Sequence, residues 1–250
     1  MATKEIRLEK LVHWPESMWP IDLNLLDGLP LELLPDIDAL QKLTYPWELL
    51  ILLRKRLEDK ITESRIAEGA QINRMVHIEG PVWIENGVVI HPFSVIIGPT
   101  YIGENVTVGN FAQVRNSFIG KECLVGERTS VVRSFIGGEC AFHRNYLGDS
   151  LLAKGVDMGG GTTTANRRLD RRNVVTTLGD SRVDTGMERL SVIIGSGTKF
   201  GTTCQIMPGV KIGRHCIVGP RAVLYTDLAD NMRCKVKQEL QVEQIPNNNI

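Results

Sequence analysis

From Ile78 onward a branched aliphatic residue recurs at every sixth position: Ile78, Ile84, Ile90, Ile96, Ile102, Val108 and Val114. The beat resumes at Ile119, Val125, Val131, Ile136 and Phe142, and again at Ile194, Phe200, Ile206, Ile212, Val218 and Leu224. Glycine often follows, as in Ile102-Gly103, Val108-Gly109 and Ile119-Gly120. This period matches neither the turn of a helix nor the simple alternation of a long strand. It fits a short strand followed by a turn, repeated, with one large apolar side chain per strand pointing inward.

The fifth position of each hexad is a second check. It reads Val82, Val88, Ser94, Thr100, Val106 and Ala112, then Cys123, Thr129 and Cys140, and later Thr198, Cys204, Val210, Cys216 and Ala222. All are small or β-branched. Large and small inward residues in alternation fill a narrow prism of stacked coils. The segment Ser117-Phe-Ile-Gly-Lys-Glu-Cys123 recurs as Ser134-Phe-Ile-Gly-Gly-Glu-Cys140, 17 residues on. Three hexads make one turn of a three-sided coil, so this spacing is one turn with a residue deleted at a corner. The pattern resembles the left-handed parallel β-helix of hexapeptide-repeat proteins, an exception to the right-handed crossover rule. That resemblance implies a mainly β fold over residues 78–227, with roughly seven coils stacked about 4.8 Å apart. Cys123, Cys140, Cys204 and Cys216 share the inward phase and are expected to be buried free thiols that pack as small hydrophobes.

Residues 1–77 lack the hexad, and Pro15, Pro20, Pro30, Pro35 and Pro46 break them into short pieces. Pro46-Trp47-Glu48-Leu49-Leu50 opens a helix expected over about 46–63, with Leu49, Leu50, Leu52, Leu53 and Leu57 on one stripe. Such a helix is expected to cap the open end of the β-helix, which otherwise exposes an apolar cross-section and strand edges. Residues 167–192 interrupt the repeat and carry Arg167, Arg168, Arg171 and Arg172. An insertion of this kind is either a binding loop or a solvated basic loop. Residues 228–250 form a tail, with a closing strand expected within Met232–Val242 and fraying at Asn247, Asn248 and Asn249.

Charge and composition narrow the function classes. Lys and Arg number 29 and Asp and Glu number 29, so there is no positive excess for a dedicated nucleic-acid or anionic-membrane protein. Hydrophobic residues at 42% and charged residues at 23% describe a globular chain. No run of 18 apolar residues occurs, and the opening MATKEIRLEK has no apolar core of a secretory signal. A cytoplasmic protein is expected.

Candidate chemistry concentrates in Phe142-His-Arg-Asn-Tyr-Leu-Gly-Asp-Ser150 and Gly159-Gly-Gly-Thr-Thr-Thr-Ala-Asn166. A neutral imidazole at His143 is a competent general base near neutral pH, although a surface histidine at a turn gives the same sequence. Gly159, Gly160 and Gly161 permit close approach of backbone to a ligand, or simply a tight corner. No phosphate-binding Gly-Lys-Ser/Thr follows them.

His143, Tyr146, Leu147-Gly148-Asp149, Gly161-Thr162, Thr164-Ala165-Asn166, Val183-Asp184-Thr185-Gly186 and Ile206-Met207-Pro208-Gly209-Val210 together resemble one family. It is the C-terminal β-helix domain of bifunctional sugar-1-phosphate nucleotidylyltransferase/acetyltransferases. The resemblance runs from about Tyr45 to Val242, with Pro46-Trp47-Glu48-Leu49-Leu50 as the linker helix. Residues 1–45 contain no Gly-rich nucleotide loop, so nucleotidyl transfer is not expected of this chain.

The resemblance implies N-acetyl transfer from acetyl-CoA to an amino-sugar-1-phosphate, with no metal required. It makes His143 the base and places Tyr146 and Asn166 on the sugar phosphate. Arg115 and Arg172, the latter standing for a lysine of the family, would neutralise phosphate. The backbone at Gly160 would face the oxyanion or the CoA arm, and Thr202 and Gly219 would line the CoA channel. That channel lies between subunits, which implies a homotrimer.

Three positions depart from the pattern. Asp157 stands where the family often has Asn, and a carboxylate there would repel phosphate. Val132 takes the place of a basic residue, with Arg133 one position along and expected to point to the opposite side, and Val175 replaces a lysine. The three differences imply a changed substrate or a lost activity. The retained linker helix, Asp157 and Val175 favour an alternative: a non-catalytic trimeric partner or regulator of a separate sugar nucleotidylyltransferase. A zinc carbonic anhydrase of the same fold is disfavoured, because His13, His77, His91, His143 and His215 include no H-x4-H pair.

Overall fold

The computed structural model of the chain describes residues 12–13, 15–21, 23–26 and 29–243. Asn247, Asn248, Asn249 and the opening decapeptide lie outside these residues. The described chain is mainly β, a parallel β-solenoid of about nine turns of the left-handed β-helix class. Short strands stack into three parallel sheets of eight, nine and eight strands. The first face runs from Arg65–Ile66 to Lys211–Ile212, the second from Gln71–Ile72 to Arg233–Cys234, and the third from His77–Glu79 to Val223–Leu224.

The near-duplicate segments are adjacent coils. Phe118 pairs with Phe135 and Ile119 with Ile136 in parallel register. Ile119, Ile136 and Ile206 are fully buried, and Cys123, Cys140, Cys204 and Cys216 lie buried and free in the same prism. Inward hydroxyls are satisfied by the next coil: Ser134 N–H donates to Ser117 Oγ (3.1 Å) and Ser150 N–H to Ser134 Oγ (3.1 Å).

The solenoid is longer than the hexad read from Ile78 predicts. The beat extends back through Ile72 to Ile66, and the strand Arg233–Cys234 adds to the far end, giving about nine turns instead of seven. Ile66 and Ile72 remain 48% and 36% exposed, because no coil stacks beneath them. Beyond Cys234 the described tail has no regular structure.

Among the described residues two α-helices precede the solenoid, α1 (Ile37–Gln41) and α2 (Pro46–Lys60). Glu48 Oε2 accepts the N–H groups of Thr44 (2.7 Å) and Tyr45 (2.9 Å), closing the start of α2 beside Pro46. The expectation that α2 caps the open end is corrected: it lies across the outer surface of the first face. The reason is a column of outward aromatic residues. Trp83 meets Tyr101 edge-on, Tyr101 stacks on Phe118 at 4.7 Å, and Phe118 stacks on Phe135 at 4.3 Å. Trp47, Leu49, Leu50, Leu53 and Leu57 of α2 bury against this column. The segment before α2 continues along the same face toward the C-terminal coils, where Trp19 Nε1–H donates to Asp230 Oδ1 (2.9 Å). No helix among the described residues is long and apolar enough to cross a membrane.

Burial pushes the Cys140 thiol well above its ordinary pKa and raises that of Cys204. Cys234 is half-buried at the last coil. A disulfide reagent should therefore modify Cys234 in the native protein and all five cysteines only after unfolding. Early modification of Cys123 or Cys140 would show that the prism register is wrong.

Candidate functional site

The corner between the second and third faces gathers residues that are distant in sequence. Gly161 N–H donates to Arg144 O (3.2 Å), Thr203 N–H to Gly160 O (2.9 Å) and Arg221 N–H to Thr202 O (2.9 Å). His143, Gly160 and Thr202 thus stand in one column along the solenoid axis, and Gly219 opens the same turn one coil further on. The His143 side chain is exposed, and no described residue hydrogen-bonds its imidazole. A Cβ at Gly160 would sit 3.2 Å from His143 O, so glycine leaves bare backbone at this corner.

Asn145 builds the corner from inside. It occupies a small inward position and is buried. Its Oδ1 accepts the His143 N–H (2.5 Å), and its Nδ2 donates to Gly159 O and Thr162 O (3.0 Å each). The His143 turn and the triple-glycine turn are therefore locked together by one amide. The sequence reading missed this role, although an Asn in the small-residue series is the signal for it.

On the third face, Arg115, Val132 and Gly148 fall in one row across three coils. Among the described residues Arg115 Nε is buried with no hydrogen-bond partner. Tyr146 and Asn166 are brought together, with Asn166 Nδ2 3.4 Å from Tyr146 Oη. Both pass close over Gly148: a Cβ there would lie 2.7 Å from Tyr146 Oη and 2.9 Å from Asn166 Nδ2.

The other sequence candidates lie apart. Asp157 is on the second face, in register with Ala141 and Lys199, across the corner from Tyr146. Arg172 is 82% exposed on the inserted loop, 3.8 Å from Asp170. Hydrogen bonding to Arg168 and the charges of Arg168 and Arg172 hold the Asp170 carboxyl well below its usual range. Val175 lies in the antiparallel hairpin Val175–Leu178/Ser181–Asp184, which the inserted segment forms. Val132 is buried. Arg133 is not an opposite-facing strand residue: it turns the corner with φ 50°.

Arg133 turns toward the second residue that the sequence reading left without a role. Asp149 is 1% exposed in its side chain and accepts from four donors. Arg133 reaches it with Nε (2.8 Å) and Nη2 (2.7 Å), Asn166 with Nδ2 (2.6 Å), and Arg54 of α2 with Nη2. Arg54 also donates to Arg133 O through Nε (3.0 Å) and Nη2 (2.8 Å). Hydrogen bonding to Asp149 raises the Arg133 pKa, while burial lowers that of Arg54 against the pull of the same carboxylate. The sequence signal was a charged residue at the corner that follows the third-face strand.

Two cavities flank these groups. One of about 470 Å³ adjoins Gly219 at the last coils and is lined by Arg221, Arg233, Cys234 and Lys235. Another, about 730 Å³, lies between the arginine loop, the hairpin and the turn Met207-Pro208-Gly209. Among the described residues no three His, Cys, Asp or Glu side chains cluster to hold a metal ion.

The family description that matches is the bacterial transferase hexapeptide (six repeats), over residues 81–116 and 191–226. The chain carries a hexapeptide-repeat domain, and its curated relatives place it more closely. The bifunctional protein GlmU of Methanocaldococcus jannaschii is 33% identical over 213 residues, covering 78% of this chain and 47% of the relative. A bifunctional sugar-1-phosphate nucleotidylyltransferase/acetyltransferase of Sulfurisphaera tokodaii is 37% identical over 86 residues, 34% of this chain and 21% of that protein. The chain spans about half the length of the GlmU relative, and its domain corresponds to the C-terminal acetyltransferase part. Among solved structures, AntD, an N-acyltransferase from Bacillus cereus in complex with dTDP and 3-hydroxybutyryl-CoA, is 16% identical, covers 70% of this chain and 80% of its own, and has a TM-score of 0.29.

Replacing Gly148 by Ala tests the crowding on the third face. The atoms a Cβ would meet are the ends of two side chains, so stability should change by less than about 1 kcal/mol. A crystal structure of the variant should show Tyr146 Oη and Asn166 Nδ2 pushed apart. An unchanged Tyr146–Asn166 pair would refute the packing described.

Proposed function

We propose that this chain is an N-acetyltransferase that moves an acetyl group from acetyl-CoA to the amine of an amino-sugar-1-phosphate. The observation that carries the reading is the convergence on one edge of the solenoid. There the exposed His143 imidazole and a bare glycine corner adjoin the third face that carries the Tyr146–Asn166 pair, with Arg115 two coils away on the same face. The family relationship supports the same chemistry.

In this reaction the sugar nitrogen attacks the thioester carbonyl carbon. The C–N bond forms, the C–S bond breaks, and His143 passes the proton from nitrogen to the departing CoA sulfur. In this reading the backbone N–H at Gly160 meets the charge that develops on the carbonyl oxygen. In this reading the Arg115 guanidinium neutralises the sugar phosphate. The cavity beside Gly219 carries Arg221, Arg233 and Lys235, a donor set suited to the phosphates of CoA.

At His143 itself one protomer offers an exposed corner, and a small-molecule site needs enclosing walls. The second wall in this reading comes from another copy in a homotrimer, and Arg172, outside its own Tyr146–Asn166 site, serves a neighbour's. Support for assembly along this edge comes from Phe93 and Phe111, stacked at 5.0 Å and exposed on the same corner below His143. The alternative, a non-catalytic trimeric partner of a separate nucleotidylyltransferase, keeps the support of Asp157 and Val175, and the structure adds one feature. The basic position of the family's pattern is Val132, and Arg133 is turned to Asp149.

Release of free CoA from acetyl-CoA, assayed against a panel of amino-sugar phosphates, separates the two readings. His143→Ala should lower turnover by about 10²–10⁴-fold with little change in sugar-phosphate binding. Arg115→Ala and Arg172→Ala should mainly raise KM for the phosphorylated sugar. A wild type silent across the panel would sink the acetyltransferase reading.

Assembly has its own measurement. Light scattering at micromolar concentration should give a trimer, and Phe111→Asp should shift it toward monomer with the β-helix intact by circular dichroism. A monomeric wild type would remove the shared site.

A further inference from the structure

We propose that Asp149 is a positioning residue: it sets which way the Asn166 amide points and links that orientation to helix α2 through Arg54. The inference rests on the sugar-phosphate reading for its kinetic consequence, but not for its geometry.

A buried carboxylate is costly unless it is paired and hydrogen-bonded. Arg133 and Arg54 already neutralise Asp149 from two sides. The remaining contact is the Asn166 Nδ2 at 2.6 Å. A carboxylate tolerates only a donor there, since an amide oxygen would face two negative oxygens. Asp149 therefore fixes the amide with nitrogen inward.

The consequence travels outward. An Asn amide has two N–H donors and one acceptor oxygen. One N–H is held by Asp149 and the other faces Tyr146 Oη at 3.4 Å. Asn166 thus presents its acceptor to a ligand and selects a donor, a sugar hydroxyl or ammonium. The Tyr146 hydroxyl, already accepting, keeps its proton for an acceptor such as a phosphate oxygen. The pair acquires a polarity that neither residue has alone, and its source is a side chain that touches no ligand.

Helix α2 enters through Arg54, which grips both the Asp149 carboxylate and the Arg133 carbonyl. A shift of α2 along the first face alters the setting of Asp149 and hence of Asn166.

The test uses the full-length chain labelled with ¹⁵N-asparagine, with the Asn166 side-chain signal assigned by its loss in Asn166→Ala. In the wild type that NH₂ should be shifted and slow to exchange with solvent. In Asp149→Asn it should move to the position of a free amide and exchange about tenfold faster or more. KM for the amino-sugar phosphate should rise by about tenfold or more, the worth of one hydrogen bond to a charged group, while KM for acetyl-CoA stays within about twofold.

Arg54→Met keeps the apolar stem on the first face and removes the guanidinium. It should move the same NH₂ signal and raise the same KM by a smaller factor. Where Asp149→Asn does not fold, Arg54→Met and Arg133→Gln give the same readouts.

A folded Asp149→Asn protein with lowered Tm but an unmoved Asn166 signal and unchanged KM would overturn the positioning role. An unmoved signal in Arg54→Met would overturn the link to α2. A wild type that transfers no acetyl group would defeat the functional reading, and the amide signal alone would still decide this inference.

Discussion

Two inward residues per face must fill a triangular interior, and one of them must be small. This packing constraint governs the molecule. Ile119, Ile136 and Ile206 fill the large position, and Cys123, Cys140 and Cys204 the small one, all buried. Interiors at close-packed density leave no slack for a slipped coil, because a one-residue slip turns every inward side chain out. Register is therefore held over about nine turns. The same rigidity converts sequence separation into proximity. His143, Gly160 and Thr202 end in one column because successive coils stack about 4.8 Å apart. The inserted segment 167–192 loops out between two coils and leaves the stack unbroken, since Leu151 pairs directly with Ile193.

The three outer faces divide the remaining work. The first is given over to the aromatic column, whose stacked pairs each add about 0.5–1.5 kcal/mol beyond area burial. Covering it with α2 and the preceding segment hides an apolar strip that would otherwise promote association. The corner between the second and third faces stays open, and it carries both the His143 column and the exposed Phe93–Phe111 stack. Concealment of one face and exposure of the opposite edge direct any assembly to that edge.

What the sequence made legible was what the repeat repeats. Ile119 and Ile136 announce their register because any other residue there would break the prism. Ile66 and Ile72 belong to the same series but sit on an open coil, so the pattern around them is loose and the start of the solenoid was placed too late. The docking of α2 was hidden because its partner, the outward series Tyr101, Phe118, Phe135, has no period visible within one hexad and emerges only when coils are stacked. Asn145 and Asp149 were invisible in role for a related reason. Each is a local exception whose meaning depends on a residue one or more coils away: Thr162 for Asn145, Arg54 and Asn166 for Asp149. His143 and Tyr146, by contrast, were singled out through a family resemblance and not through any physical necessity in the chain.

Electrostatics then decide how the third face handles an anion. Asp149 with Arg54 and Arg133 forms a cluster of one negative and two positive charges, and Glu58 beside Arg54 offsets much of the excess, so less than one unit of positive charge is felt near Asn166. Arg115 lies two coils away along the same face, on the order of 10 Å. Across such a distance, at effective dielectric values of about 20–80, a unit charge contributes only about 0.4–1.7 kcal/mol toward an anion. A direct guanidinium–phosphate hydrogen bond is worth about 1.5–3 kcal/mol. In the proposed reading, with Val132 apolar between them, phosphate recognition on this face rests on Arg115, and the residual charge of the Asp149 cluster adds only a weaker, diffuse attraction. In the same reading, discrimination of the sugar falls to the acceptor that Asn166 presents, so the orientation of one amide, set by a carboxylate behind it, counts for more than an additional basic residue would.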